Sequence, residues 1–149
     1  MISNTDKLIL SELRNNSRKP LSEISRKTGI PVSTIFDRIK KLDNVVYKHT
    51  SLIDYSRINH NIVVHFIIKT AEAERNKVKD FFNSHTNVNN LYKITNGFDF
   101  MVECIFKDMK QLEDFNEELR KFDIKNKNQF HVIEELKKEE FLTKKQDFN

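Results

Sequence analysis

Two short amphipathic segments, separated by a glycine and a proline, most strongly constrain how this chain folds. They occupy the sequence LSEISRKTGIPVSTIFDRIKKL, from Leu21 to Leu42. In the first segment Leu21, Ile24 and Thr28 follow helical spacing, and Gly29 supplies the left-handed residue that commonly ends a helix. This pattern predicts a short helix followed by a tight turn.

The second segment predicts a helix with one buried face and one polar face. Pro31 suits its first turn, and Ile35, Ile39 and Leu42 form the apolar stripe. The outward face comprises Ser33, Asp37 and Lys40, flanked by Thr34 and Lys41 on one side and Phe36 on the other. Two helices in this arrangement are the layout of a DNA-binding helix-turn-helix. An αα-hairpin with an ordinary solvated face is the alternative.

The positive charge of the chain is concentrated around these helices. Residues 1–59 carry eleven Lys or Arg against six Asp or Glu, a balance of +5, which leaves −1 for the rest of the 149 residues. Such a local excess favours contact with phosphates. The candidate phosphate-binding residues are Arg18, Lys19, Lys27, Arg38 and Lys41. For Arg38, an internal ion pair with Glu23 or Glu12 is the alternative.

The cysteine count and the hydropathy pattern bear on the cellular compartment. Cys104 is the only cysteine, so an intrachain disulfide is excluded, and its alternation with Val102 and Phe106 indicates a core position. The longest apolar run, around Ile62–Ile68, is too short to cross a bilayer, and the first residues do not resemble a signal peptide. We therefore expect a cytoplasmic protein without membrane contact.

The remainder of the N-terminal third supports the helix-turn-helix. Residues 6–15 have the spacing of a first helix, which Asn4 or Thr5 can cap. Residues 45–53 are rich in β-branched residues and predict a wing or linker strand. We expect a DNA-binding domain over residues 1–53 and a polar hinge over residues 54–60.

The rest of the chain predicts a different module over residues 61–136. The expected strands cover residues 61–70, 91–95, 98–106 and 130–136, and the expected helices cover 72–84 and 109–122. The order β-α-β-β-α-β is that of a ferredoxin-like domain with two helices on one face of the sheet, so the chain as a whole is expected to be α+β. Residues 137–149 are expected to form a charged, loosely ordered tail.

The first strand of this module is apolar on both faces. Val63, His65 and Ile67 alternate with residues that face the helices, so the open face of the sheet needs a cover. We expect a homodimer through this face, with a tetramer or octamer as larger even assemblies. His65 and His131 are expected together on the dimer-facing side, where they form either a pH-sensitive pair or two simply satisfied side chains.

Several short motifs follow one another in a characteristic order. They comprise Asp6, Ile9, Leu10 and Leu13, then Asn16 and Arg18, then Leu21, Glu23 and Ile24, then Gly29, Ile30 and Pro31, then Thr34, Ile35, Arg38, Ile39 and Leu42, then Leu52, Ile53 and Asp54, and finally Thr95, Asn96 and Asp99. Over nearly the whole chain this order resembles the Lrp/AsnC (leucine-responsive, or feast/famine) transcription regulators. The resemblance implies a sequence-specific DNA-binding regulator.

The resemblance also implies an effector site for amino acids or related small molecules. In the family this cleft is lined by a T-G-x-x-D loop, which corresponds here to Thr95, Asn96, Gly97 and Asp99. The alternative is that Asn96-Gly97 is only a hairpin turn. Asn59 and Asn96 stand where the family tends to place Gly, and Asn is the non-glycine residue that best tolerates a positive φ. The wing is shorter than usual and lacks its glycine.

Two other classes of function compete with this interpretation. A tetrapyrrole decarboxylase branch resembles these regulators in architecture, and a DNA-compacting protein differs from them mainly in specificity. The chain has no nucleophile with its base, paired-carboxylate site or phosphate-binding loop, and its histidines are scattered. We therefore expect a protein that is not an enzyme and needs neither a cofactor nor a metal.

Overall fold

The structure, a computed structural model, describes residues 1–145, and the chain divides into two units. One unit comprises residues 1–52 and the described residues from Leu136 onward, and the other comprises Ile53–Glu135. The first unit contains α1 (Asn4–Asn15), α2 (Leu21–Thr28) and α3 (Val32–Lys41). The second contains β1 (Ile62–Thr70), α4 (Arg75–Ser84), β2 (Val88–Lys93), β3 (Phe100–Phe106), α5 (Met109–Leu119) and β4 (Ile124–His131). Within residues 1–145, no helix is long and apolar enough to cross a membrane.

The three helices of the first unit pack around one isoleucine from each. Ile9, Ile24 and Ile35 are completely buried, and Leu10 and Leu42 complete the cluster. Burial of one such side chain contributes about 1.5–3 kcal/mol. As the spacing predicts, Gly29 follows α2 with a φ of 74°, and α3 begins directly after Pro31.

Helix α1 begins earlier than the sequence predicts, and Ser3 rather than Asn4 or Thr5 is its cap. The Ser3 hydroxyl accepts a hydrogen bond from the Asp6 N–H at 3.1 Å, and the Asp6 carboxylate accepts one from the Ser3 N–H at 3.0 Å. This reciprocal capping box satisfies two backbone donors at the start of the helix, which explains the earlier start.

The predicted strand over residues 45–53 is absent. A single 3₁₀ turn, Leu42–Asn44, follows α3, and residues 45–54 form neither helix nor strand. Strand propensity alone does not make a strand, because the backbone donors and acceptors need a partner strand. Among the described residues, no strand pairs with this segment.

The second unit is a four-stranded antiparallel sheet with α4 and α5 packed on one face. Its strand order is β2-β3-β1-β4, which confirms the expected ferredoxin-like β-α-β-β-α-β module. Phe66, Phe82, Phe106 and Phe115 are fully buried between the sheet and the helices. Cys104 belongs to this core, as expected, and its burial raises the pKa of the thiol to about 12.

The last strand begins six residues earlier than predicted, because pairing with β1 rather than composition determines it. Its sequence is mostly polar, so alternation gave no signal there. The resulting register places His131 opposite Val64, on the helix-covered face, and Phe130 opposite His65, on the open face. The expectation that the two histidines share the open face is therefore wrong.

The expected loosely ordered tail instead packs against α1 over residues 139–143. The Arg14 guanidinium donates to the carbonyls of Phe141 at 3.0 Å and Glu139 at 2.9 Å. Ser11 and Asn15 donate to the Thr143 carbonyl at 3.0 and 2.7 Å. The side chain of Leu142 packs on the isoleucine cluster. The mostly charged composition of the tail gave no sign that Leu142 would pack on this cluster or that backbone carbonyls of the tail would accept hydrogen bonds from α1. Residues 146–149 lie outside the described residues.

We expect Arg14→Ala to lower the free energy of unfolding of the first unit by about 1–2 kcal/mol, because two carbonyls lose their donor. Urea denaturation followed by circular dichroism measures the change. Phe141→Ala is the matched control, since the Phe141 side chain is 78% exposed and the variant keeps the carbonyl. Equal stability of wild type and Arg14→Ala would contradict a stabilising role for this contact.

Candidate functional site

The outward face of α3 carries the polar residues that the sequence predicts there. Ser33, Asp37 and Lys41 are exposed, and Thr34 is half-buried at the margin. Lys40 and Phe36 are also exposed, and the Lys40 Nζ lies 4.2 Å from the centroid of the Phe36 ring. This cation–π contact holds an ammonium group on the outer face of the helix. Hydrogen-bonding, charged and apolar groups thus lie side by side on one helix.

Arg38 connects α3 to α1 through an internal ion pair, as the alternative to phosphate binding predicts, but with a different partner. Its Nη1 lies 3.2 Å from the Asp6 carboxylate and 3.4 Å from the Ser3 hydroxyl, so the expected partners Glu23 and Glu12 are wrong. The hydrogen bond from the Ser3 hydroxyl lowers the pKa of Asp6, and Arg38 lowers it further. Together they outweigh burial, which acts in the opposite direction. The Arg38 charge is therefore balanced within the unit.

Of the other phosphate-binding candidates, Lys19 is also engaged internally. It is buried and forms an ion pair with Glu12, and the hydrogen bond to Glu12 raises the pKa of the Lys19 ammonium. Lys27 lies 3.8 Å from the same carboxylate but is exposed. Arg18 is exposed as well. Arg18, Lys27 and Lys41 are thus the candidates whose side chains are exposed, whereas Arg38 is partly exposed but paired with Asp6.

The candidate effector loop is a hairpin turn between β2 and β3. Thr95, Asn96 and Gly97 are exposed, and the φ angles of Asn96 and Gly97 are 66° and 81°. Two consecutive left-handed residues are typical of a type I′ hairpin. Asn59 also has a positive φ, 61°. Both asparagines therefore adopt the glycine-like conformation expected at positions where the resembling family tends to place Gly.

Asp99 connects this hairpin to β1 and α4. Its carboxylate accepts hydrogen bonds from the Thr70 N–H at 2.8 Å and the Thr70 hydroxyl at 3.1 Å, and it pairs with the Arg75 Nε at 2.9 Å. Burial opposes ionisation, but the Thr70 bonds and Arg75 outweigh it and lower the pKa of Asp99. Neither Thr70 nor Arg75 was predicted, because both are distant from Asp99 in sequence and no motif links them to it.

The open face of the sheet combines apolar and polar side chains. Val63 and Ile67 on β1 are half-buried there, as is Met101 on β3, which lies opposite Ile67. Between them the Glu103 carboxylate lies 3.0 Å from the His65 Nε2 and accepts a hydrogen bond from the Asn90 amide at 3.0 Å. Within residues 1–145, no three His, Cys, Asp or Glu side chains are arranged to hold a metal ion.

Comparison with known proteins assigns both units to families. Residues 2–44 match the winged helix-turn-helix DNA-binding family, and residues 61–141 match the Lrp/AsnC ligand binding domain. The HTH-type transcriptional regulator FL11 of Pyrococcus horikoshii is 30% identical over 112 residues, which is 74% of each chain. An HTH-type transcriptional regulator of Pyrococcus abyssi is 27% identical over 143 residues, covering 95% of this chain and 97% of its own.

Solved structures share the fold over nearly the whole chain. The transcriptional regulator NMB0573 of Neisseria meningitidis, in complex with L-Met, superposes with a TM-score of 0.83 at 19% identity, covering 93% of this chain and 94% of its own. E. coli AsnC superposes with a TM-score of 0.77 at 17% identity, covering 93% and 96%. With a DNA-binding helix-turn-helix followed by a ligand binding domain, the chain belongs to the Lrp/AsnC family of transcriptional regulators.

Proposed function

We propose that this protein regulates transcription by binding specific DNA sequences as a homodimer, with a small molecule as effector. The observation that carries the proposal is the outward face of α3, which exposes Ser33, Asp37 and Lys40 while Ile35 is buried in the helical unit. A recognition helix needs this arrangement, since its base-contacting side chains must be free of the core.

We assign different roles to the polar residues of the first unit. Ser33, Thr34, Asp37 and Lys40 contact base edges in the major groove, where hydroxyl, carboxylate and ammonium groups distinguish base pairs. Arg18, Lys27 and Lys41 neutralise phosphates, since their exposed cations flank the helix-turn-helix. Arg38 and Lys19 instead hold the helices together through Asp6 and Glu12.

The dimer is proposed to form through the open face of the sheet, which carries Val63, Ile67 and Met101. An apolar face of this kind on a single-layer sheet is stabilised when a second copy covers it. A two-fold dimer presents two α3 helices, so the DNA site is expected to be near-palindromic, with half-sites about one helical turn apart or a multiple of it.

The effector is proposed to be an amino acid or a related small molecule bound at the hairpin of Thr95, Asn96 and Gly97. The backbone N–H groups of this exposed turn suit a carboxylate. The solved Neisseria meningitidis relative is a complex with L-Met, which supports this ligand class. Asp99 is assigned a positioning role, because its oxygens are engaged by Thr70 and Arg75.

Selection of binding sites from random duplexes tests DNA specificity most directly. We expect one enriched near-palindromic sequence. Ser33→Ala or Lys40→Ala is expected to change base preference by ~1–3 kcal/mol per lost contact. Lys41→Ala should weaken all duplexes alike and reduce the salt slope by about one. Lys79→Ala, an exposed lysine on α4, is the control. Repeating the selection with pooled amino acids tests the effector. Equal binding of random and selected duplexes would refute sequence specificity.

Ile67→Glu should dissociate the dimer, because it places an unpaired carboxylate on the proposed interface. Sedimentation equilibrium should report a monomer for this variant and a dimer for wild type. Met109→Glu is the control, since Met109 is 60% exposed at the start of α5, on the other side of the sheet. A dimer that survives Ile67→Glu unchanged would place the interface elsewhere.

Asp99→Asn should lower stability in a pH-dependent manner. Because the folded pKa of Asp99 lies below its unfolded value of about 3.9, its charge stabilises the fold above that pH and ceases to do so as pH falls through the folded pKa. We expect a deficit of about 1–3 kcal/mol at neutral pH that shrinks below about pH 4. Denaturation at several pH values measures it, with the exposed Asp114→Asn as control. A deficit independent of pH would show that the Asp99 charge is not responsible.

A further inference from the structure

Two apolar side chains on the recognition helix have no place in the core of the helical unit. Val32 is 44% exposed and Phe36 is 49% exposed, whereas Ile35 between them is completely buried. Val32 and Phe36 are four residues apart, so they lie next to each other on the helix surface. They form an apolar strip, defined here as Val32 and Phe36, along one margin of the polar face that carries Ser33 and Lys40.

The charge around the apolar strip identifies its occupant. The Lys40 Nζ lies 4.2 Å from the centroid of the Phe36 ring, Lys41 is exposed one residue further along, and residues 1–59 carry a balance of +5. An apolar protein partner would supply no counter-charge for these cations. The DNA major groove supplies phosphates for the cations and one apolar group on its base edges, the C5-methyl group of thymine.

We propose that Val32 and Phe36 recognise thymine methyl groups, which makes thymine a required base at the positions facing the first half of α3. This inference rests on the proposed DNA-binding function and specifies its sequence preference. The first residues of a recognition helix commonly contact base edges, and Val32 is the first residue of α3. Phe36 extends the same apolar contact by one turn, with Lys40 beside it.

Substitution of deoxyuridine for thymine tests this inference, because it removes only the methyl group. The full-length protein is titrated at fixed salt with the selected duplex and with duplexes that carry deoxyuridine at one thymine at a time. We expect the affinity of wild type to fall about fourfold for each contacted methyl group, as one buried apolar carbon contributes. At those positions Phe36→Ala or Val32→Ala should bind thymine and deoxyuridine duplexes equally.

Two controls separate the methyl contact from other effects of these variants. Phe36→Met keeps an apolar side chain and should retain part of the discrimination. Met109→Ala removes an exposed apolar side chain from the second unit and should retain all of it. Circular dichroism checks that each variant is folded. Because Val32 and Phe36 are exposed, we expect their substitution to leave the core of the helical unit intact.

The outcomes distinguish this inference from the proposed function. If wild type prefers the selected duplex but binds every deoxyuridine duplex with unchanged affinity, the proposed methyl contact is refuted, while the proposal of sequence-specific binding stands. If Phe36→Ala and Val32→Ala discriminate thymine from deoxyuridine as strongly as wild type does, the contact belongs to other residues and the inference is overturned. If random and selected duplexes bind equally, both the function and this inference fail.

Discussion

The contact of three isoleucines, one from each helix, is the constraint on which the DNA-binding unit depends. Ile9, Ile24 and Ile35 are completely buried, and each helix of this unit is only eight to twelve residues long. Helices of this length are marginal on their own, so tertiary packing stabilises them. Since Ile35 fixes which face of α3 is inside, it also fixes which face is outside. The exposed groups of the recognition helix therefore follow from core packing.

The positive charge of the same unit has two separate uses. Arg38 and Lys19 form ion pairs with Asp6 and Glu12, so part of the formal excess is balanced internally. These pairs connect α3 with α1 and the α1–α2 turn with α1, and they orient the helices. The exposed cations, among them Arg18 and Lys41, remain for an external anion. A count of charges in the sequence does not separate the two groups, whereas burial and partner distances do.

Patterns with a strong local period were predicted well, and features that need a distant partner were not. The spacing around Gly29 and Pro31 located both helices of the helix-turn-helix, and the apolar alternation around Phe66 located β1. The polar edge strand β4 was misplaced, because its pairing with β1 rather than its composition determines it. The site showed the same division: exposed α3 residues were predicted, but the partner of Arg38 and the Asp99 contacts to Thr70 and Arg75 were not.

Amide hydrogen exchange of the full-length protein, with and without the selected duplex, shows whether α3 is the helix that contacts DNA. We expect DNA to protect the amides of residues 32–41 and to leave those of α4 and α5 unchanged. Protection of this segment at moderate salt, greater with the selected duplex than with a random one, would support α3 as the recognition helix. Protection confined to the sheet unit, with residues 32–41 exchanging as in the free protein, would contradict it.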